Sequence, residues 1–218
     1  MNKNIKKAFG KGKAFIPFIT CGDPSLEVTE RIVYAMEEAG ADLIELGIPF
    51  SDPTAEGPVI QAANVRALSG GVTTDKIFDM VRRIRQKTSI PMVFMTYANV
   101  VYSYGTERFA KAAAEIGMDG LILPDVPFEE KEEFAIPFKE HGLDLISLIA
   151  PTSHERIAMI AKEAEGFGIS EPKQAKKMAA QSDGVIVASA IVKLCEKYGA
   201  DCVPYISTFV KEMKDAIR

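Results

Sequence analysis

An α/β fold with one parallel sheet is predicted by three features of this sequence. Short apolar runs of strand length alternate with amphipathic stretches of helical period. Gly, Pro and Asp punctuate nearly every change from one to the other. Each strand is followed by a helix-length connection, which makes successive strands parallel and their crossovers right-handed. The 218 residues are 47% hydrophobic, enough to bury a full core, and a single domain spanning residues 1–218 is expected.

The first strand is AFIPFIT, Ala14 to Thr20, ended by Cys21-Gly22-Asp23-Pro24. Ser25 then caps a helix that Gly40 stops after Ala39. The second strand covers Leu43 to Ile48, followed by a helix from Pro58 to about Leu68 and another from about Thr74 to Gln86. Pro91 to Thr96 is the third strand, with a helix from Thr106 to Ile116 after it, and Gly120 to Leu123 is the fourth. A helix over Glu129 to Glu140 leads to the fifth strand, Leu143 to Ala150. Asp23, Asp52, Asp125 and Thr152 all follow strand ends, where parallel α/β folds place their chemistry.

The rhythm breaks next. A helix is expected from His154 to about Ala164, yet Pro172 already opens the following one, and no full strand fits between. Gly184 to Ala190 restores a buried strand before helical segments at Ile191 to Tyr198 and Ile206 to Ile217. Six strands are legible in all.

A net charge of −4 with both signs scattered disfavours a nucleic-acid surface. The basic N-terminal stretch lacks the apolar segment of a signal peptide, and no run approaches a membrane span, so a cytosolic protein without membrane contact is expected. Cys21, Cys195 and Cys202 form no CxxC, and only His141 and His154 could join them. No metal site, disulfide framework or cofactor is called from this set. Both histidines read as helix-end residues.

The stretch ADLIELGIPFSDPTAEGP, Ala41 to Pro58, carries the chemistry. Glu45 interrupts an apolar strand, where a charge needs a reason, and Glu56 ends a Pro- and Gly-rich loop just before a helix. Either acid alone is accounted for by a satisfied core carboxylate or a solvated loop residue. A strand-end acid facing a loop acid is an active-site geometry.

ELGIPFSDPTAEGPVIQ, together with FIPFITCGDP, MTYANVV, LILPDVP, LIAPTS, GFGIS and VASAIVK in the same order, resembles the tryptophan synthase alpha subunit family from about Phe15 to the C-terminus. The resemblance implies a TIM-barrel (β/α)8 parentage and cleavage of indole-3-glycerol phosphate to indole and glyceraldehyde 3-phosphate, with indole passed to a beta subunit. It implies that Glu45 exchanges protons with the indole C3 and the glycerol hydroxyl, and that Glu56 stands where a carboxylate binds the indole N–H. Glu45 in its apolar setting is expected to have a raised pKa, and Glu56 in a polar loop to stay ionised. Phe18 and Tyr97 match residues lining the indole pocket, although plain core packing accounts for them equally well. Gly168 and Ser189 match the phosphate-binding loops, and Ala188 stands where the family usually has Gly. A methyl there weakens phosphate binding if the position needs φ > 0 or close backbone approach. The Pro49 to Gly57 loop and Asn99 match surfaces that meet the beta subunit.

Between the equivalents of Gly166-Phe167 and Gly168 the family carries a sixth strand, a mobile lid whose threonine orients the loop acid, a helix and most of a seventh strand. This chain lacks them, a loss of roughly 40 to 50 residues, with a junction near residues 166–168. Gly166-Phe167 fits the start of the sixth strand or part of the seventh. The expectation is an incomplete parallel sheet of about six strands, either an open barrel or a flavodoxin-like rearrangement, that self-associates. In the open form Gly184 to Ala190 keeps its pairing with Ala14 to Thr20, and Leu143 to Ala150 becomes an edge. Function divides into an alpha-type lyase of impaired activity or a non-catalytic remnant that binds a partner subunit or a sugar phosphate.

Overall fold

Seven apolar or β-branched positions in succession, Ala14–Thr20, form strand β1, which is buried at every residue. A strand covered on both faces needs no polar alternation, which is why AFIPFIT reads as a continuous run. The computed structural model describes residues 2–10, 12–148, 164–165, 169, 171–180 and 182–218. In order they form α1 (Lys3–Ala8), β1, α2 (Leu26–Glu38), β2 (Ile44–Gly47), α3 (Pro58–Ser69), α4 (Thr74–Ile84), β3 (Met92–Met95), α5 (Ala98–Tyr104), α6 (Thr106–Glu115) and β4 (Gly120–Ile122). Then come α7 (Glu132–Glu140), β5 (Asp144–Leu148), β6 (Ala164–Glu165), α8 (Pro172–Ala179), β7 (Gly184–Val187), α9 (Ser189–Tyr198) and α10 (Val203–Ile217).

The strands form one seven-stranded sheet in the order β6-β5-β4-β3-β2-β1-β7, all parallel. Consecutive strands from β1 to β6 are neighbours, and β7 closes back onto the other side of β1. That is the winding of a barrel, and among the described residues β6 and β7 end the sheet unpaired with each other. The flavodoxin-like alternative is overturned, because that arrangement reverses direction at its first strand. The open barrel stands.

Two expectations about the edge are corrected. β5 is not an edge, since Ser147 and Leu148 pair with Ala164 and Glu165. Ala164, expected at the end of a helix, lies in that two-residue strand. The pairing is supplied by a strand distant in sequence, which a local helical pattern cannot register. The junction at residues 166–168 and the helix expected from His154 lie outside the described residues.

Alternation along each strand divides the side chains between two cores. Phe15, Ile19, Ile44, Leu46, Met92, Phe94 and Leu121 face the helices. Ala14, Ile16, Phe18, Leu43, Val93, Met95, Ile122 and Ile186 face the concave interior. Each fully buried Ile or Phe contributes roughly 1.5–3 kcal/mol relative to exposure. α2 shows how the outer layer is made: Ser25 accepts from the Val28 N–H at 3.3 Å, and Val28, Ile32, Val33 and Met36 form one buried stripe.

α1, read from sequence only as a basic segment, plugs the interior at the N-terminal ends of the strands. Ile5 and Ala8 bury one face among the interior side chains, while the Asn4 amide donates to Asp119 at 2.8 Å. α5 also went unread, because Tyr97-Ala98-Asn99 resembles a loop. Its first amide, Ala98 N–H, donates to both carboxylate oxygens of Asp125 at 3.1 Å. Asp125 is thus a helix anchor, and Asp23 is likewise committed: it is 2% exposed and receives Arg66 Nε and Nη2, each at 2.8 Å. Arg66 also reaches Glu196 at 3.4 Å, tying the end of β1, α3 and α9 together. His141 caps the end of α7 as expected and contacts Glu107 at 2.7 Å, whereas His154 lies outside the described residues.

Candidate active site

Glu45 sits in the middle of β2, 3% exposed, in register with Phe18 on one side and Val93 on the other. Phe18 and Val93 both belong to the interior cluster, and Leu43, two residues before Glu45, does as well. Strand parity therefore turns the Glu45 carboxylate into the concave interior. A carboxylate taken out of water at that depth is expensive unless paired.

Gly47 completes the inward row of β2, and the Phe18 ring occupies the space its side chain would fill. A β-carbon at Gly47 would stand 2.5 Å from Phe18 Cζ and 2.8 Å from Cε2. Phe18 is thus held across the strand ends beside Glu45, 2% exposed. It packs within the interior cluster.

Tyr97 lies two residues beyond β3, on the inward parity of Val93 and Met95, and is 2% exposed. Its ring meets Phe50 at 5.2 Å between centroids, and its hydroxyl oxygen accepts from the Ala55 N–H at 3.0 Å. These two contacts fasten the loop between β2 and α3 over the strand ends. Burial pushes the Tyr97 hydroxyl pKa up, the Ala55 amide opposes that, and the nearby Glu56 and Asp125 charges add to the rise.

Glu56 is half-buried rather than a freely solvated loop acid. Desolvation raises its pKa, and a hydrogen bond from the Asn64 side chain opposes the rise. Asn64 Nδ2 donates to Glu56 Oε2 at 2.7 Å, and Gln61 Nε2 donates to the Glu56 carbonyl at 2.8 Å. The loop around this acid is less solvated than the sequence suggests, since α3 packs Asn64 against it. Asn64, 4% exposed, was not singled out from sequence. Its signal is an amide at a core-facing helix position, two turns beyond the acid.

At the opposite rim of the sheet, β7 leads into α9. Ala188 has φ −115°, so the position does not require the left-handed region, and its methyl packs against the interior cluster. Its carbonyl accepts from the Ile191 and Val192 amides at 3.0 and 3.1 Å, which starts the helix. Ser189, exposed, is the first residue of α9 and carries the helix's positive end. Gly168 lies outside the described residues.

Glu45, Glu56, Phe18, Tyr97, Ala188 and Ser189 thus all lie toward the C-terminal ends of the strands. Two clefts of about 510 and 810 Å3 open elsewhere, lined by residues such as Asn4, Asp42, Pro91 and Lys214 that precede the strands or close the far end. Neither contains a candidate residue. An inward acid and a second acid over the strand ends together suit acid–base chemistry.

A family model described as tryptophan synthase alpha chain matches residues 5–167 and 163–218, two pieces that meet beside the break in the strand–helix rhythm. The chain is 40% identical to the tryptophan synthase alpha chain of Lacticaseibacillus casei, covering 98% of this chain and 95% of that one. That alignment runs over 252 residues, longer than the chain itself, so the relative carries a segment with no counterpart here. A crystal structure of the alpha subunit from Legionella pneumophila superposes with a TM-score of 0.91 at 36% identity, covering 100% of this chain and 98% of that one. A chain of the Pyrococcus furiosus tryptophan synthase α2β2 complex gives 0.87 at 31% identity, covering 94% and 99%.

Proposed function

This chain belongs to the tryptophan synthase alpha chain family, and we propose that it cleaves indole-3-glycerol phosphate by a reverse-aldol step at Glu45, slowly because the family's lid segment is missing. The observation that carries this reading is the placement of Glu45, buried and inward between Phe18 and Val93. A structural carboxylate needs no such position on the concave side of the strand ends.

The proton balance needs one group that cycles and one that holds. Protonated Glu45 gives its proton to the indole C3, leaving a cationic ring whose charge is shared with the N–H. The same carboxylate then takes the proton of the glycerol hydroxyl while the carbon–carbon bond breaks, and the bonding pair returns to the ring. Indole leaves, the aldehyde forms and Glu45 is again protonated. Glu56, ionised, accepts the indole N–H and stabilises the ring charge as it develops. Phe18 and Tyr97 flank the ring, and the α9 amides beginning at Ser189 hold the phosphate, with the Ala188 methyl alongside.

Loss of the lid acts on water exclusion, not on the acids themselves. A site that stays open leaves the charges on Glu45 and Glu56 better hydrated and their effect on the ring weaker. The loop from Pro49 to Gly57 and exposed Asn99 form the face proposed to meet a beta subunit, with lowered affinity. The open sheet supports self-association, and no helix among the described residues is long and apolar enough to cross a membrane.

Indole release, measured by a coupled assay with and without added beta subunit, tests the proposal. Slow turnover that falls by about 10²–10⁴-fold in Glu45→Gln is expected. Turnover unchanged in that variant removes Glu45 from the chemistry, and turnover absent at all enzyme concentrations favours a non-catalytic chain that binds a partner or sugar phosphate.

A further inference from the structure

An acid that is to bind the indole N–H must be both ionised and correctly aimed, and α3 supplies a group that can do both. Asn64 lies two helical turns beyond Glu56, 4% exposed, with its Nδ2 on Glu56 Oε2 at 2.7 Å. We propose that Asn64 is the positioning residue of this site, holding the Glu56 carboxylate toward the indole N–H from the helix side. This inference rests on the lyase reading for its substrate, but its geometry is independent of turnover.

Two further contacts support it. The backbone of Glu56 is fixed as well as its side chain, because Gln61 Nε2 donates to the Glu56 carbonyl at 2.8 Å. Tyr97 closes the other side of the loop through the Ala55 amide and the Phe50 ring. The carboxylate is therefore gripped at one oxygen, leaving the second for a donor in the cavity. A carboxylate accepts at both oxygens, and an amide N–H on one of them favours the ionised state.

Charge makes the donor necessary. Desolvation raises the Glu56 pKa, and the Asn64 hydrogen bond acts against it. Among the described residues no positive charge acts on Glu56: Tyr97, which follows β3, is its neighbour from another element, and Asp125 after β4 faces Tyr97 in turn. On α3 itself, Arg66 is committed to Asp23 and Glu196. Asn64 is thus the described neighbour that stabilises the anion without adding a net charge.

The test uses the full chain labelled with 13C at glutamate carboxyls, with Glu56 assigned by Glu56→Gln, and compares wild type with Asn64→Leu and Asn64→Ala. Removing the donor is expected to move the Glu56 titration to higher pH. The protein contains no tryptophan, so indole fluorescence reports indole binding without background from the chain. Indole affinity at neutral pH is expected to fall about tenfold, the loss of one hydrogen bond to a charged group, and to recover as pH rises. A merely structural role would lower affinity at every pH and leave the titration in place. An unmoved Glu56 titration in a variant with wild-type circular dichroism overturns the proposal, and Asn64→Ala serves if the leucine variant does not fold. If the titration moves and wild type binds indole but releases none from substrate, the positioning role stands and the lyase reading falls; if wild type does not bind indole, the positioning role falls with it.

Discussion

The Phe18 ring fills the place of the side chain that Gly47 lacks, with Cζ 2.5 Å from where a β-carbon would stand. The glycine is needed for this close approach and not for an unusual backbone, since the left-handed glycines lie elsewhere. A ring laid over the end of β2 fixes the wall beside Glu45.

Gly47→Ala is therefore expected to displace Phe18 toward the cavity. The carbonyl of Ile19, 3.3 Å from the new methyl, prevents the backbone from absorbing the clash, and Phe18 is too buried to swing outward. The cost is about 1–3 kcal/mol of stability, as for other overpacked cores, together with weaker indole binding. Urea midpoints and indole fluorescence read the two effects, and unchanged values for both would show that Phe18 does not define the pocket wall.

Much of this arrangement is legible in the sequence, and the parts that are not share a cause. β1 begins and ends at Ala14 and Thr20, as its apolar run and the Gly-Asp-Pro stop indicate. Ser25 caps α2 as its chemistry requires. Glu45 was found because a charge inside an apolar strand breaks a pattern. Asn64, Arg66 and the Ala164–Glu165 pairing break none: each depends on a partner brought near by the fold, Glu56, Asp23 and β5 in turn. α1 escaped because its lysines outnumber the buried pair Ile5 and Ala8, and the burial is decided by Asp119 and the strand ends beneath.

A second outcome concerns pH. The folded-state pKa of Glu56 is raised above the ordinary carboxylate value by desolvation. The folded chain therefore binds that proton more tightly than the unfolded chain does. Its cost to stability is absent below the unfolded pKa, grows as pH rises toward the folded pKa, and is fully present above it. Glu56→Gln keeps an acceptor for Asn64 and removes the charge. The variant should be more stable than wild type at about pH 8 and lose that advantage near about pH 4. Urea unfolding at both values decides it, and a variant that is less stable at the higher pH would show that Asn64 outweighs desolvation.

The last outcome follows from the sheet. β1 is buried at every position, whereas β5 is only half-buried along its whole length, although β6 pairs with its final two residues. Among the described residues nothing pairs with the far side of β7. Strands with open backbone donors and acceptors recruit other strands unless they are covered. A second copy of the chain presents the same open ends, and a two-fold pair would cover both at once. Light scattering over a range of protein concentrations should show a dimer that strengthens with concentration. Substituting lysine for half-buried Leu145, on the helix-facing side of β5, should weaken it. A strict monomer at every concentration would show that the open sheet is covered within one chain.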